Sequence, residues 1–437
     1  MKFASKIKAA AATVCTAALA LSGCGAVSGN AAESMTASGE DVTISIFWWG
    51  SDARIKKTQE VIKAFEAKHP TITVEATYAD WSGYRDKLAT MVAGGNAPDV
   101  MQMDELFLAS YASQGSLLDL SAASKFLNLD SMARSVRDMG KYDGVQYAAP
   151  TGTAPLGVAV NMDILESLGL SLPDNTDTWT WNDFEQFELE IVKRSNGEII
   201  GAGTLPSGDG LSLWSRQHGA DLFADGRVSI SQDALSAWLD KTREYTQNGI
   251  LGTADRWAED LTATTEQCEF GTGRQAMKFM TATQTTQYAK ALGTENLVMV
   301  PLPSNSTSRY MYMKPNMYWS VASTSQHPAE AAMLIDYFIN DADAVGTQGT
   351  DRGIPSNNKI RESMGAAASG LDKLAFEYTD KMTAELADNA PSITPNGGSD
   401  VQNIGKRYQQ DVVFGKQSAQ DAAKAMIIEI QNAIDVA

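Results

Sequence analysis

Three histidines, His69, His218 and His327, lie far apart in the 437-residue chain and never at the spacing of a metal-ligand pair. With Cys268 the one cysteine beyond residue 24, they offer no zinc constellation, so no bound metal is expected. The stretch Asp341-Ala-Asp343-Ala-Val345-Gly346 begins like a calcium loop, but Val345 falls at a ligand position and Arg352 where a bidentate Glu belongs. It reads as a helix end. Ser356-Asn-Asn-Lys359 has the Ser-x-x-Lys spacing without a Ser-Asp-Asn or Lys-Thr-Gly element beside it, and chance explains it best. Gly271-Thr-Gly273-Arg-Gln-Ala276 has the look of a dinucleotide loop but lacks the preceding strand and the later acidic partner, so a turn into a helix is the simpler reading. Neither a nucleophile nor a cofactor site emerges from these motifs.

The elements that must position any binding residues alternate in type. Val42 to Trp48 is β-branched and aromatic, and Asp52 to Lys68 sets Ile55, Ile62 and Phe65 near one helical face. His69-Pro70 ends that helix, Thr71 to Ala76 reads as a strand, Gly83 to Val92 as a helix, and Asp99 to Met103 as a short apolar strand. The pattern continues with a strand over Leu156 to Val160, a helix from Asp163 to Leu168, and a further helix at Trp181 with Asn182 as its N-cap. Gln275 to Met280 and Leu297 to Leu302 follow, then a long helix after Pro328. Alternating strands and helices imply a mainly parallel sheet covered on both faces.

The N-terminus is different in kind. Lys2, Lys6 and Lys8 precede a charge-free apolar run from Ala9 to Leu21, too short to span a bilayer and laid out as an export signal. It ends in Leu21-Ser22-Gly23-Cys24, which resembles the bacterial lipoprotein signal and implies lipidation of Cys24. Cys15 leaves with the signal and Cys24 is consumed by lipid, so Cys268 has no disulfide partner. Residues 24–41 are then the anchor and a small, polar, flexible linker. Loss of the three lysines takes the formal net charge from −18 to −21, which argues against nucleic acid as a partner. More than 400 residues remain, enough for two domains.

In order along the mature chain stand FWWGSDAR, FEAKHPTITVE, GYRDKLATMVAGGNAPDV, YDGVQYAAPTGTAPLGVAVN, TWTWNDF, FGTGRQAM, VPLP and DRGIPSN. This series resembles the family 1 extracellular solute-binding proteins of ABC importers, in particular those that bind sugars. The resemblance implies a type II periplasmic-binding-protein-like α/β fold of two lobes, joined by hinge strands and closing on ligand in the cleft between them. By analogy the chain crosses near Ala149 to Pro155 and near Tyr318 to Ala322. That gives a signal over 1–23, a first lobe of 42–152 and 321–353, and a second of 153–320 and 354–437. It further implies a monomer on the extracytoplasmic face of the membrane, lipid-anchored, with a permease and a carbohydrate as partners.

A sugar presents hydroxyl edges and weakly apolar faces, so its site needs planar polar groups and aromatic rings. Trp48 and Trp49 end the first strand, where open α/β sheets place ligand, and alternation assigns Trp49 to the cleft. Asp52 follows in the loop, either capping the helix or binding hydroxyls. Asp80, Trp81 and Tyr84 follow the second strand, with helix capping the simpler role for Asp80. Asp104, just past the third strand, sits where similar proteins commonly face ligand and is the leading polar candidate. Trp214 and Trp257 occupy loop-like surroundings, Thr281 a strand end, and Tyr318 and Trp319 an expected crossing. Arg352 lies at another passage, set to bind hydroxyls or to clamp an inter-lobe carboxylate. Two rivals stay open: a secreted glycoside hydrolase, needing two carboxylates about 5–10 Å apart, and the same fold holding a peptide, polyamine or osmolyte.

Overall fold

The structure, a computed structural model, describes residues 35–306, 311–383 and 391–437. The export signal, Cys24 and the start of the linker fall outside these residues. The first strand, Val42–Trp49, splits its side chains by parity. Ile44, Ile46 and Trp48 enter one core, while Phe47 and Trp49 enter another on the opposite face. The helix Asp52–Lys68 that follows buries Thr58, Val61, Ile62 and Phe65, one stripe at helical spacing. It stops at His69, before Pro70.

Val42–Trp49 pairs in parallel with Ile72–Ala79 on one side and Val100–Met103 on the other. Beyond Val100–Met103 the sheet continues antiparallel through Pro315–Val321, Ala149–Thr153 and Ile354–Pro355, six strands in all. Parallel pairing is thus narrower than the alternating pattern implies. It holds where helical crossovers join successive strands, and fails for the three strands added beyond Val100–Met103. The second lobe is built on three strands, with Leu156–Asn161 flanked antiparallel by Met277–Thr281 and Leu297–Val300.

Helices of the second lobe share one core, in which Phe184, Trp238, Ile404, Tyr408 and Met426 are buried together. The helix Trp181–Arg194 is capped two residues earlier than expected, by Thr180 and not Asn182. Thr180 Oγ1 accepts the Asp183 N–H at 3.1 Å while the Asp183 carboxylate accepts the Thr180 N–H at 2.9 Å. Reciprocal satisfaction of two end groups favours this start over the neighbour, by about 1 kcal/mol. The turn at Gly271–Gly273 leads into the strand Met277–Thr281, not a helix, because Ile200 and Gln275 form a parallel bridge that keeps the chain extended. Asp341 does end a helix, and it caps the next, Ala342–Gln348.

The chain passes between the sheets where Ala149–Thr153 gives way to Leu156–Asn161 after two residues. Beside this passage the Ala154 N–H donates to the Lys314 carbonyl at 3.0 Å, so a second crossing runs alongside. The strand Pro315–Val321 pairs wholly within the six-stranded sheet. Residues 315–320, assigned to the second lobe from sequence, therefore lie in the first lobe's sheet. A third passage follows Ile354–Pro355 towards the helix Gly370–Thr383, whose Leu371, Phe376 and Met382 join the second core. Two glycines allow these passages to touch: a Cβ on Gly152 would stand 2.6 Å from the Arg352 carbonyl, and Gly353 has a φ of +97°. The linker also differs from expectation at its end. Met35 packs on the first core and the Ser38 N–H donates to Glu330 at 2.6 Å, so residues 35–41 are tied down.

Candidate ligand-binding cleft

A cavity of about 700 Å³ opens between the lobes. One wall comes from the first lobe, through Glu105, Leu106, Arg134, Asp138 and Lys141. The other comes from Asp209, Ser212, Phe223 and Tyr312 with the segment 391–394, and Tyr318 lies on a crossing strand between them. Its size is that of a small-molecule site.

Two of the lining residues, Glu105 and Asp209, are joined by Lys314, one residue before the crossing strand Pro315–Val321. Its Nζ lies 2.6 Å from Asp209 Oδ1 and 3.3 Å from Glu105 Oε1. Glu105 opens the first-lobe helix Glu105–Ser113, and Asp209 opens the second-lobe helix Asp209–Gln217. One ammonium therefore bridges carboxylates at the starts of two helices, one per lobe. Burial raises the Glu105 carboxyl to about 7 against the pull of Lys314, and raises that of Asp104 as well. The Lys314 ammonium is held well above its usual range because Asp209, Glu105 and Asp104 outweigh its own desolvation. Nearer the rim, Asp138 pairs with Lys141 at 2.7 Å and Arg134 at 3.3 Å.

The residues singled out from sequence divide into several groups. Tyr318 lines the cavity. Asp104 adjoins it, its carboxylate accepting the Leu106 N–H at 3.0 Å as the N-cap of the helix that presents Glu105. Asp80 likewise caps a helix, accepting from Gly83 at 2.7 Å. Asp52 is exposed in the first helical turn, and Ser51 takes the capping role. Trp49 is not a free cleft ring: it is buried beside Trp81, Tyr84 and Phe107, with centroids 5.0 Å from both Trp81 and Tyr84. Trp81 is 44% exposed at the edge of that group. Tyr84 is wholly buried, its hydroxyl donating to the Gln102 carbonyl at 2.6 Å.

The remaining candidates are placed away from the cavity. Trp257 packs with Tyr245, Ile250 and Leu251 in a small core of its own. Trp214 is buried with its indole N–H donating to the Ala234 carbonyl at 2.8 Å. Trp319 is fully buried against Phe338, on the sheet face opposite Tyr318. Thr281 caps the short turn Ala282–Gln284. Arg352 neither faces the cavity nor meets a carboxylate among the described residues. It is 3% exposed, donates to Thr58 Oγ1 at 2.9 Å and lies over the Trp319 and Phe338 rings. Burial, with Arg54 nearby, lowers it to about 9.

Sequence reasoning missed Lys314, Glu105, Asp209, Tyr312 and Arg134. The reasoning that selected Asp104, its place just past a strand, does not reach Asp209, which opens its helix behind Gly208 with no strand before it. Among the described residues no group of three or more His, Cys, Asp or Glu is placed to hold a metal ion. No helix among them is long and apolar enough to cross a membrane.

The family model of bacterial extracellular solute-binding proteins matches residues 50–345, and the chain belongs to that family. An uncharacterized lipoprotein in oleD 5'region of Streptomyces antibioticus is 24% identical over 309 residues, which cover 68% of this chain and 66% of that protein. The diacetylchitobiose binding protein DasA of Streptomyces coelicolor is 32% identical over 127 residues, 29% of each chain. The match thus spans less than two thirds of either relative. A periplasmic oligogalacturonide binding protein from Yersinia enterocolitica superposes with a TM-score of 0.72 at 21% identity, covering 90% of this chain and 100% of that one. That likeness shows the two-lobed α/β fold.

Proposed function

We propose that this chain is the receptor of an ABC importer that captures a sugar, most readily an oligosaccharide, between its lobes and delivers it unchanged to a membrane permease. The observation that carries this reading is the inter-lobe cavity of about 700 Å³, whose walls combine Tyr312, Tyr318 and Phe223 rings with the charged groups of Arg134, Glu105 and Asp209, the last two bridged by Lys314. Rings suit sugar faces, and charge-assisted hydrogen bonds suit hydroxyl edges. Since Lys314 joins the two walls, ligand and lysine together favour the closed form. Ligand shifts that balance only by its differential affinity for the two forms. Membership of the family and the relative named for diacetylchitobiose support the substrate class.

The lobe division that goes with this reading is 42–153 with 315–355 for the first lobe, and the rest up to 437 for the second, with hinges at the three passages. Anchoring through Cys24 on the outer face of the cell membrane belongs to the same reading, as does a monomeric state. The rival hydrolase is tested by incubating the purified chain with mixed oligosaccharides and recovering them by ultrafiltration and chromatography. Sugars retained intact with the protein are the expected outcome, and any shortened product overturns capture.

A further inference from the structure

A second cavity of about 390 Å³ adjoins the first and shares Leu106 with it. One wall is formed by the helices Trp81–Ala93 and Glu105–Ser113, through Arg85, Phe107 and Tyr111, with Gln114 just beyond. The other comes from the second lobe, through Asn396, Gly397 and Ser399. Like the first, it is an inter-lobe space, and Arg85 Nη2 crosses it to reach Ser399 Oγ at 3.3 Å. Between the two cavities runs the segment 391–399. Its Ile393 and Thr394 line the first, Ile393 packs against the core that contains Phe107, and Asn396 to Ser399 line the second.

The chemistry of this wall matches a sugar in both respects. Tyr111 offers a partly exposed ring 6.0 Å from the buried Phe107 ring, and the half-exposed Trp81 ring, outside the lining, stands 6.4 Å from Phe107. Arg85 lies over Phe107 at 5.7 Å with its fork reaching Ser399, the Gln114 carboxamide lines the same cavity, and the Asn396 carboxamide on the far wall donates to the Ala437 carbonyl at 3.0 Å. Rings with planar polar groups at their edges are what a pyranose needs. The second cavity therefore repeats the composition of a sugar site without the ion bridge of the first.

We infer that the second cavity is a further saccharide subsite continuous with the first, so that the chain selects oligosaccharides long enough to reach past Leu106 and the 391–399 segment. This rests on the sugar-capture reading above. Tyr111 and Asn396 are then specificity-determining: they contact the far units of a long ligand and none of a short one.

The test is a chain-length series, titrating the mature protein by calorimetry with maltose-, cellulose-, chitin- and pectin-type oligomers from disaccharide to hexasaccharide. Within the recognised type, affinity should rise roughly tenfold or more as length increases. Tyr111→Ala and Asn396→Ala should each remove most of that gain and leave the disaccharide Kd unchanged. Asn396→Ala, at a surface position, keeps the test valid if Tyr111→Ala disturbs folding. Equal affinity at every length, or variants that weaken all lengths alike, overturns the subsite and leaves sugar capture standing. Binding of no member of any type overturns the reading on which the subsite rests.

Discussion

Lys314 supplies the counter-charge where three carboxylates crowd, and without it Glu105 and Asp209 would repel each other across the cleft. Removing one partner of such a group leaves the others uncompensated, which is why its position matters more than its pair energy. Trp257 has the opposite standing. It is 7% exposed within a core of its own and lines neither cavity. Trp257→Ala is predicted to cost about 3–5 kcal/mol of stability in denaturant unfolding and to leave the sugar Kd of the folded fraction unchanged. A weakened Kd at full folding would return this ring to the ligand. These two residues also show what the sequence can and cannot carry at this scale. A tryptophan in polar surroundings looks exposed until its tertiary neighbours are known. A lysine before a proline gives no periodic signal, although Lys314 stands at the expected meeting of the lobes.

At the scale of elements, helix starts organise the cleft. Asp104 caps the helix Glu105–Ser113, and the helix N-terminus favours a carboxylate at Glu105. Burial outweighs that preference and raises the Glu105 carboxyl from its ordinary 4.5 to about 7. Between those values the folded chain keeps a proton that the unfolded chain has released, so the stability contributed by this site falls as pH rises through the window. Above about 7 the carboxylate is ionised and its pairing with Lys314 is complete. Glu105→Gln should therefore flatten the dependence of melting temperature on pH between about 4.5 and 7, and a slope identical to wild type would contradict the assignment.

Most strands and helices were legible because β-branched runs and helical stripes repeat. Val42–Trp49 and Asp52–Lys68 are plain in the sequence for that reason. Strand direction was not legible: Pro315–Val321 enters the first sheet from the far lobe and Ile354–Pro355 after two further helices, and local pattern does not encode which edge they join. The wall residues come from crossings and helix starts, where the chain has no period to read. Asp104, picked out by its place after a strand, caps the helix that presents Glu105, and Asp209, with no strand before it, carries no such mark.

For the molecule as a whole, three passages with Gly152 against Gly353 join two bodies that can close on a ligand. Tethering adds a requirement that the receptor stay beside its permease. Within the described residues, Met35 and Ser38 are docked on the first lobe. Cys24→Ser should release the protein into the medium, detected by blotting of cell and medium fractions, with its sugar Kd intact. Retention in the membrane fraction, or loss of binding on release, would contradict a division between anchor and receptor.

The central claim is reversible capture of a sugar in the cavity held by Lys314. The most direct measurement is calorimetric titration of the mature chain with a panel of neutral and acidic oligosaccharides, set beside peptides, polyamines and osmolytes. The account predicts saturable one-to-one binding of at least one oligosaccharide, recovered intact afterwards. Binding of an amino compound or osmolyte with none of any sugar would contradict it.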